Sequence, residues 1–199
     1  MPDHNSTLIT RTALGQPLIQ SAAGRGVNIV ERDGLGLASL HVRKDKGAAL
    51  IQRIHESFQI ELPQKPHRAF AGDVAFAGIG PGAWLAIHND AGNAFVVSLS
   101  KTLGDLASVC DQSDGYVVLR ISGRRVRDAM TKLIPIDLHP RAFKSGDVAV
   151  TVAAHVGVTL WRLDDDADGS EMFEIAVFRS FAESFSRALC ESIAALDIL

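Results

Sequence analysis

The sequence predicts an α+β fold, mainly antiparallel sheets with helices packed on them, built from one unit used twice. Three observations predict it. The order strand, helix, strand, strand, helix is read over about residues 37–109 and again over about 115–194. Ala71-Gly72-Asp73-Val74-Ala75 opens the second strand of the first unit, and Ser145-Gly146-Asp147-Val148-Ala149 holds the equivalent place in the second. An aromatic hairpin strand follows each, Trp84-Leu85-Ala86-Ile87 and then Thr159-Leu160-Trp161-Arg162. Antiparallel strands with helices on one face make an α+β fold. The expected organisation is an N-terminal arm over 1–26 and one pseudo-symmetric domain over 27–199, with the seam between its units as the place for a site.

Each element has its own signal. Residues 1–26 are polar and punctuated by Gly15, Pro17, Gly24 and Gly26; the apolar Leu8, Ile9, Leu14, Leu18 and Ile19 among them suit an arm laid across a partner. Gly36 to Val42 reads as a short strand. Leu50, Ile51, Ile54 and Phe58 share one face of a helix over about 45–58. Pro63-Gln64-Lys65-Pro66 stops regular structure. Val74 to Ile87 is a hairpin broken by Gly78-Ile79-Gly80-Pro81-Gly82. After Asp90-Ala91-Gly92-Asn93, a helix carries Leu99, Leu103 and Leu106 at i, i+4, i+7. In the second unit Val117, Leu119 and Ile121 alternate with Val118 and Arg120. Ser122 is placed to cap a helix bearing Val126, Ala129, Met130, Leu133 and Ile134, which Pro135 ends. Val148 to Leu163 forms the second hairpin, Asp164 to Gly169 a turn, and Phe173, Ile175 and Val177 a third strand. Ser180-Phe181-Ala182-Glu183 is a Ser-x-x-Glu capping box before a last helix that turns Phe181, Phe185, Ala188 and Leu189 inward.

Composition removes several classes of function. The 199 residues are 47% hydrophobic and 22% charged, with a net charge of −3. No basic run neutralises phosphates, so nucleic acid is not an expected partner. No stretch reaches the roughly 18 apolar residues of a membrane span, and the first residues lack the basic and apolar regions of a signal peptide. A cytoplasmic chain with two reduced, buried thiols, Cys110 and Cys190, is expected.

A family resemblance sits mainly in the second unit. Asp111-Gln112-Ser113-Asp114-Gly115, Val118-Leu119-Arg120-Ile121-Ser122-Gly123, Ile136-Asp137-Leu138-His139-Pro140-Arg141-Ala142-Phe143 and Arg179-Ser180-Phe181-Ala182-Glu183-Ser184 resemble segments of the gamma subunit of heterotetrameric sarcosine oxidase, as does Gly80-Pro81-Gly82-Ala83-Trp84-Leu85 upstream. The resemblance covers roughly residues 25–195. It implies the duplicated α+β arrangement of the folate-binding domain of glycine-cleavage aminomethyltransferases. It implies a complex that demethylates sarcosine oxidatively, passes the one-carbon unit to tetrahydrofolate and releases hydrogen peroxide. It also implies an alpha (large) subunit as main partner with beta and delta beside it, and FAD, FMN, NAD, tetrahydrofolate and zinc on those partners rather than on this chain.

The residues themselves argue against turnover here. The folate-using transferases hold a carboxylate in the hairpin strand, beside the amine that becomes positively charged. Ala153 to Leu163 contains no Asp or Glu, and neither does Val74 to Asn89. Gly78-Ile79-Gly80-Pro81-Gly82-Ala83 satisfies a loose dinucleotide pattern, but Trp84 to Ile87 reads as strand where the pyrophosphate needs a helix. Asp164-Asp165-Asp166-Ala167-Asp168-Gly169 begins like a calcium loop, yet its twelfth position is Ile175 and Glu174 is one place early. The seven histidines show no paired metal spacing; His139 and His155, expected near the seam, read as structural hydrogen bonders. No Gly-x-Ser-x-Gly elbow supports a hydrolase. Arg120, Arg124, Arg125, Arg127 and Lys132 read as a solvated face or an ion-pairing interface. The expectation is a non-catalytic gamma-type subunit with no catalytic, cofactor-binding or metal residues. The alternatives are a subunit of a related N-methyl amine complex, such as an N-methylglutamate dehydrogenase, and a free-standing tetrahydrofolate-binding module.

Overall fold

A computed structural model describes Leu14 and residues 25–198. It contains two five-stranded antiparallel sheets. The strands are β1 (Asn28–Glu31), β2 (Gly36–Val42), β3 (Arg68–Ala71), β4 (Val74–Gly80), β5 (Ala83–His88), β6 (Ala107–Asp111), β7 (Tyr116–Ser122), β8 (Val148–Ala153), β9 (Val156–Arg162) and β10 (Met172–Phe178). The helices are α1 (Gly47–Phe58), α2 (Gly92–Leu103), α3 (Val126–Thr131) and α4 (Ala182–Ala194). One sheet runs β3-β4-β5-β2-β6, the other β1-β7-β10-β9-β8.

The two halves share one connection: two strands, a helix, a three-strand meander and a helix. In each, the second strand pairs with the last strand of the meander, β2 with β5 and β7 with β10. The leading strands are exchanged. β1 precedes β2 in the chain but pairs with β7, and β6 precedes β7 but pairs with β2. Val27 and Ile29 are accordingly buried in the core of the second half. Removing a strand from its own half and placing it in the other's sheet ties the halves together through backbone hydrogen bonds as well as packing.

The repeated Gly-Asp-Val-Ala is not part of this equivalence. Gly72-Asp73 turns the chain from β3 into β4, the middle strand of its meander, whereas Gly146-Asp147 leads into β8, the first strand of its own. The tryptophans differ likewise. Trp84, on β5, packs under the helices of the first half, and Trp161, on β9, packs between the sheets. The mismatch comes from β3, four residues with two alanines, which lacks the β-branched content that marks a strand.

Alternation along the strands sorts the residues into layers. Leu40, Phe76 and Trp84 face Leu50, Ile54, Phe95 and Leu99 of α1 and α2. Leu119, Ile121, Phe173, Ile175 and Val177 face Val126, Met130, Phe185 and Leu189 of α3 and α4. Between the sheets lie Leu37, Ala77, Leu85, Ile87, Val118, Val148, Trp161 and Ala176. Each fully buried large side chain contributes about 1.5–3 kcal/mol. The sheets also meet at their edges: Arg68 N–H donates to Gly146 O at 2.7 Å, and Val148 N–H donates to Pro66 O at 3.0 Å.

Local expectations fare unevenly. The Gly78–Ala83 segment is strand, turn, strand, with Gly82 at φ +66° after Pro81. The capping box does not form: α4 starts at Ala182 with no side-chain cap, and the Ser184 hydroxyl donates to Phe181 O at 2.9 Å. Ser122 does not cap α3, which begins at Val126 after Arg125. Cys110 is exposed on the edge strand β6, not buried, and Cys190 is half-buried; the two form no disulfide. The expected arm lies outside the described residues except for Leu14, Arg25 and Gly26; Leu14 packs, half-buried, against the core of the second half.

Candidate functional site

The seam between the sheets holds a charged cluster centred on Glu174. Pairing across the second sheet sets Glu174 on β10 opposite Arg120 on β7 and opposite Trp161 on β9. Residues directly opposite share a face, so all three point toward the first sheet. Glu174 Oε1 accepts from Arg120 Nε at 3.0 Å and Nη2 at 2.8 Å, and from Arg32 Nη1 at 2.6 Å. Its Oε2 accepts from Trp161 Nε1 at 2.8 Å. Arg32 follows β1 directly, and its Nη2 reaches Asn89 Oδ1 at 3.4 Å just beyond β5, so one guanidinium touches both sheets.

Among the described residues Glu174 is the one buried carboxylate, 5% exposed. Burying it is tolerable because the charge is paired and hydrogen-bonded. Oε1 takes three of these hydrogen bonds and Oε2 one. The cluster ties the sheets together.

Arg68 reaches the same cluster from β3. Burial depresses its pKa; Glu174 opposes that shift, and Arg120 and Arg32 add to it. Its guanidinium lies 4.8 Å from the ring centre of Phe70. A second network lies next to it: Arg162, 8% exposed, donates from Nη2 to Asp165 at 2.8 Å and lies 3.2 Å from Glu171, which also pairs with Arg127. Between β3 and β8–β9 is a cleft of about 330 Å³ whose lining includes His67, Arg68, Phe70, Gly146, Arg162 and Met172.

The residues singled out in the sequence fall elsewhere. His155 is exposed at the β8–β9 turn, where it and Ala154 adopt φ +68° and +48°. His139 is exposed after α3, its Nδ1 accepting from Arg141 N–H at 3.2 Å. The histidine at the seam is His67, 3.6 Å from Asp147. The acidic turn is closed on itself: Asp166 Oδ1 accepts from the N–H groups of Asp168 and Ser170, and Asp168 Oδ1 accepts from Ser170 N–H. Hydrogen bonds with Asp166 and Ser170 hold the Asp168 carboxyl down at about 2. Ile175, at the position where calcium would need its bidentate acid, is buried in the core. Much of the basic series is bound internally: Arg120 to Glu174, Arg127 to Glu171, Arg125 to Leu196 O at 2.7 Å and Lys132 to Ala195 O at 3.4 Å. One signal for Glu174 was present in the sequence, a single charge in the middle of each of two apolar strands, Val117-Val118-Leu119-Arg120-Ile121 and Phe173-Glu174-Ile175-Ala176-Val177. Their pairing needed the register.

With this geometry in view, the likenesses to known proteins are specific. The model of the sarcosine oxidase, gamma subunit family matches residues 43–195. A curated relative, sarcosine oxidase subunit gamma of Corynebacterium sp. (strain P-1), is 30% identical over 167 residues, 81% of either chain. A chain of the heterotetrameric sarcosine oxidase from Corynebacterium sp. U-96, in complex with pyrrole 2-carboxylate, superposes with a TM-score of 0.78 at 22% identity, covering 94% of this chain and 96% of that one. The glycine cleavage system aminomethyltransferase T from Bartonella henselae gives 0.61 at 11% identity, over 86% of this chain and 48% of that one. These two structures share the fold.

Proposed function

The chain belongs to the sarcosine oxidase, gamma subunit family, and on that premise we propose that it is a structural subunit of a heterotetrameric, cytoplasmic flavoenzyme that demethylates sarcosine oxidatively. Its partners are the alpha (large) subunit first, with beta and delta completing the assembly. FAD, FMN, NAD, tetrahydrofolate and zinc belong to those subunits. The observation that carries the non-catalytic part is the state of Glu174. The one buried acid among the described residues is paired with two arginines and hydrogen-bonded by a tryptophan, and neither hairpin supplies another. A transferase-type base needs a carboxylate oxygen within reach of the amine, and a flavin needs a phosphate cradle at a helix N-terminus, where the glycine-rich segment here is a hairpin turn.

The purified full chain is expected to show no flavin absorbance and to release no hydrogen peroxide from sarcosine, while the assembled complex does both. Peroxide formation by the single chain, after added flavin and sarcosine, would overturn the non-catalytic reading.

A further inference from the structure

The cleft between β3 and β8–β9 holds two buried guanidinium Nε atoms, of Arg68 and Arg162, that no group among the described residues accepts from, although Asp164 and Asp165 also line it. Three arginines, Arg32, Arg68 and Arg120, surround Glu174, and its oxygens are taken by the first and third together with Trp161. Arg68 is left, among the described residues, with an aromatic ring and no hydrogen-bonded carboxylate, Glu174 and Asp164 acting on it only through their charge, and its buried Nε has no acceptor. The buried Nε of Arg162, across the cleft, has none either. The acids on the cleft wall make their hydrogen bonds elsewhere: Asp164 accepts from the Ser145 hydroxyl at 2.5 Å and Asp165 from Arg162 at 2.8 Å. A buried donor without an acceptor is costly, more so on a charged group. Beside Arg68 stands Phe70, 57% exposed.

We propose that this cleft is a docking point into which the adjoining oxidase subunit inserts an acidic side chain, with Phe70 covered by apolar groups around it. The inference rests on the subunit reading above and names the contact chemistry of that assembly. Charge complementarity selects a carboxylate, because a guanidinium offers a planar fork of donors that matches one. The exposed aromatic selects a protein over a dissolved acid. A small acid would fill the cleft and leave Phe70 wet, whereas an aromatic beside a paired arginine is the usual composition of an interface centre.

The test is Arg68→Met in the full chain, made together with the other oxidase subunits. Apolar Met fills similar space and removes the cation. The melting temperature of the isolated variant is expected to stay level or rise, because burial is the largest influence on Arg68 and an unpaired cation no longer has to be desolvated. Association with the partner subunits is expected to weaken by about tenfold or more, with Arg68→Lys intermediate. If the wild-type complex forms and the Met variant assembles equally well, the docking point is wrong while the subunit reading stands. If the variant melts several degrees lower, Arg68 is internal cement and the inference falls. If succinate raises the melting temperature of the isolated wild type and not of the variant, the cleft takes dissolved acids and the inference falls. If the wild-type chain does not associate with the other subunits at all, the subunit reading itself is overturned.

Discussion

Replacing Glu174 by Ala is expected to lower the unfolding free energy by about 3–5 kcal/mol. The side chain is 5% exposed, and it holds Arg32, Arg120 and Trp161 through four hydrogen bonds. Truncation leaves Arg32, Arg120 and Arg68 as a group of like charges at the part-buried seam and the Trp161 indole N–H without its acceptor. Most of the loss is the cost of unpaired, part-buried cations, not the net value of the ion pairs, which replacement by packed apolar groups often matches. Urea denaturation followed by tryptophan fluorescence measures it. A change below about 1 kcal/mol, the range of exposed pairs, would show that the cluster is hydrated and that Glu174 does not hold the sheets together. Glu183→Ala is the control: that acid is 84% exposed, its contact with Arg187 spans one helical turn, and no measurable change is expected.

Gly123→Ala is the second large effect. Gly123 follows β7 directly with φ +125°, a backbone conformation that side-chain-bearing residues avoid, and a Cβ there would lie 2.3 Å from Gly26 O and 3.2 Å from Val27 Cα. Both neighbours are backbone, so no flexible side chain can yield. They lead directly into β1, the strand exchanged into the second sheet, and Arg125 N–H also donates to Gly26 O at 3.1 Å. Strain and the forced shift of β1 together are expected to cost about 3 kcal/mol, a fall of about 6–12 °C in melting temperature for a chain of this size. Gly157→Ala is the contrast, since nothing lies within 4 Å of its Cβ position; it is expected to melt within about 2 °C of wild type. Equal tolerance at the two sites would mean that the approach of Gly26 to Gly123 is not part of the fold.

The fold class was legible because it rests on periodicity. Val117, Leu119 and Ile121 alternate, Leu50 and Ile54 recur at helical spacing, and each marks a buried face that the structure keeps. The repeat was legible in its order of elements and misleading in its motif. Gly-Asp-Val-Ala follows local turn chemistry, Gly72 taking φ +55° and Gly146 φ +83° at different points of the two meanders, so the same letters recur without the same place in the sheet. Short strands were not legible. β1, β3 and β6 hold four, four and five residues, and each is stabilised by its partner strand more than by its own composition. The strand exchange followed them out of view, since it depends on which sheet β1 and β6 join.

The seam cluster was half legible. A charge in the middle of an apolar strand announces a buried partner, and Arg120 and Glu174 are both of that kind. Arg32 and Arg68 gave no such signal, because each sits at the end of a short strand, where arginine is ordinary. The missing hairpin acids were plain from the sequence. That the one buried acid among the described residues is already paired with two arginines required distances.

The central claim is that this chain works as a subunit and performs no chemistry alone. Native mass spectrometry of the complex purified through a tag on this chain, from cells producing all the oxidase subunits, tests it most directly. One copy of this chain in each assembly is predicted, with every flavin carried by the other chains and none on the chain released by dissociation. A chain that purifies alone or only with copies of itself, while the remaining subunits assemble into a fully active oxidase without it, would contradict the account.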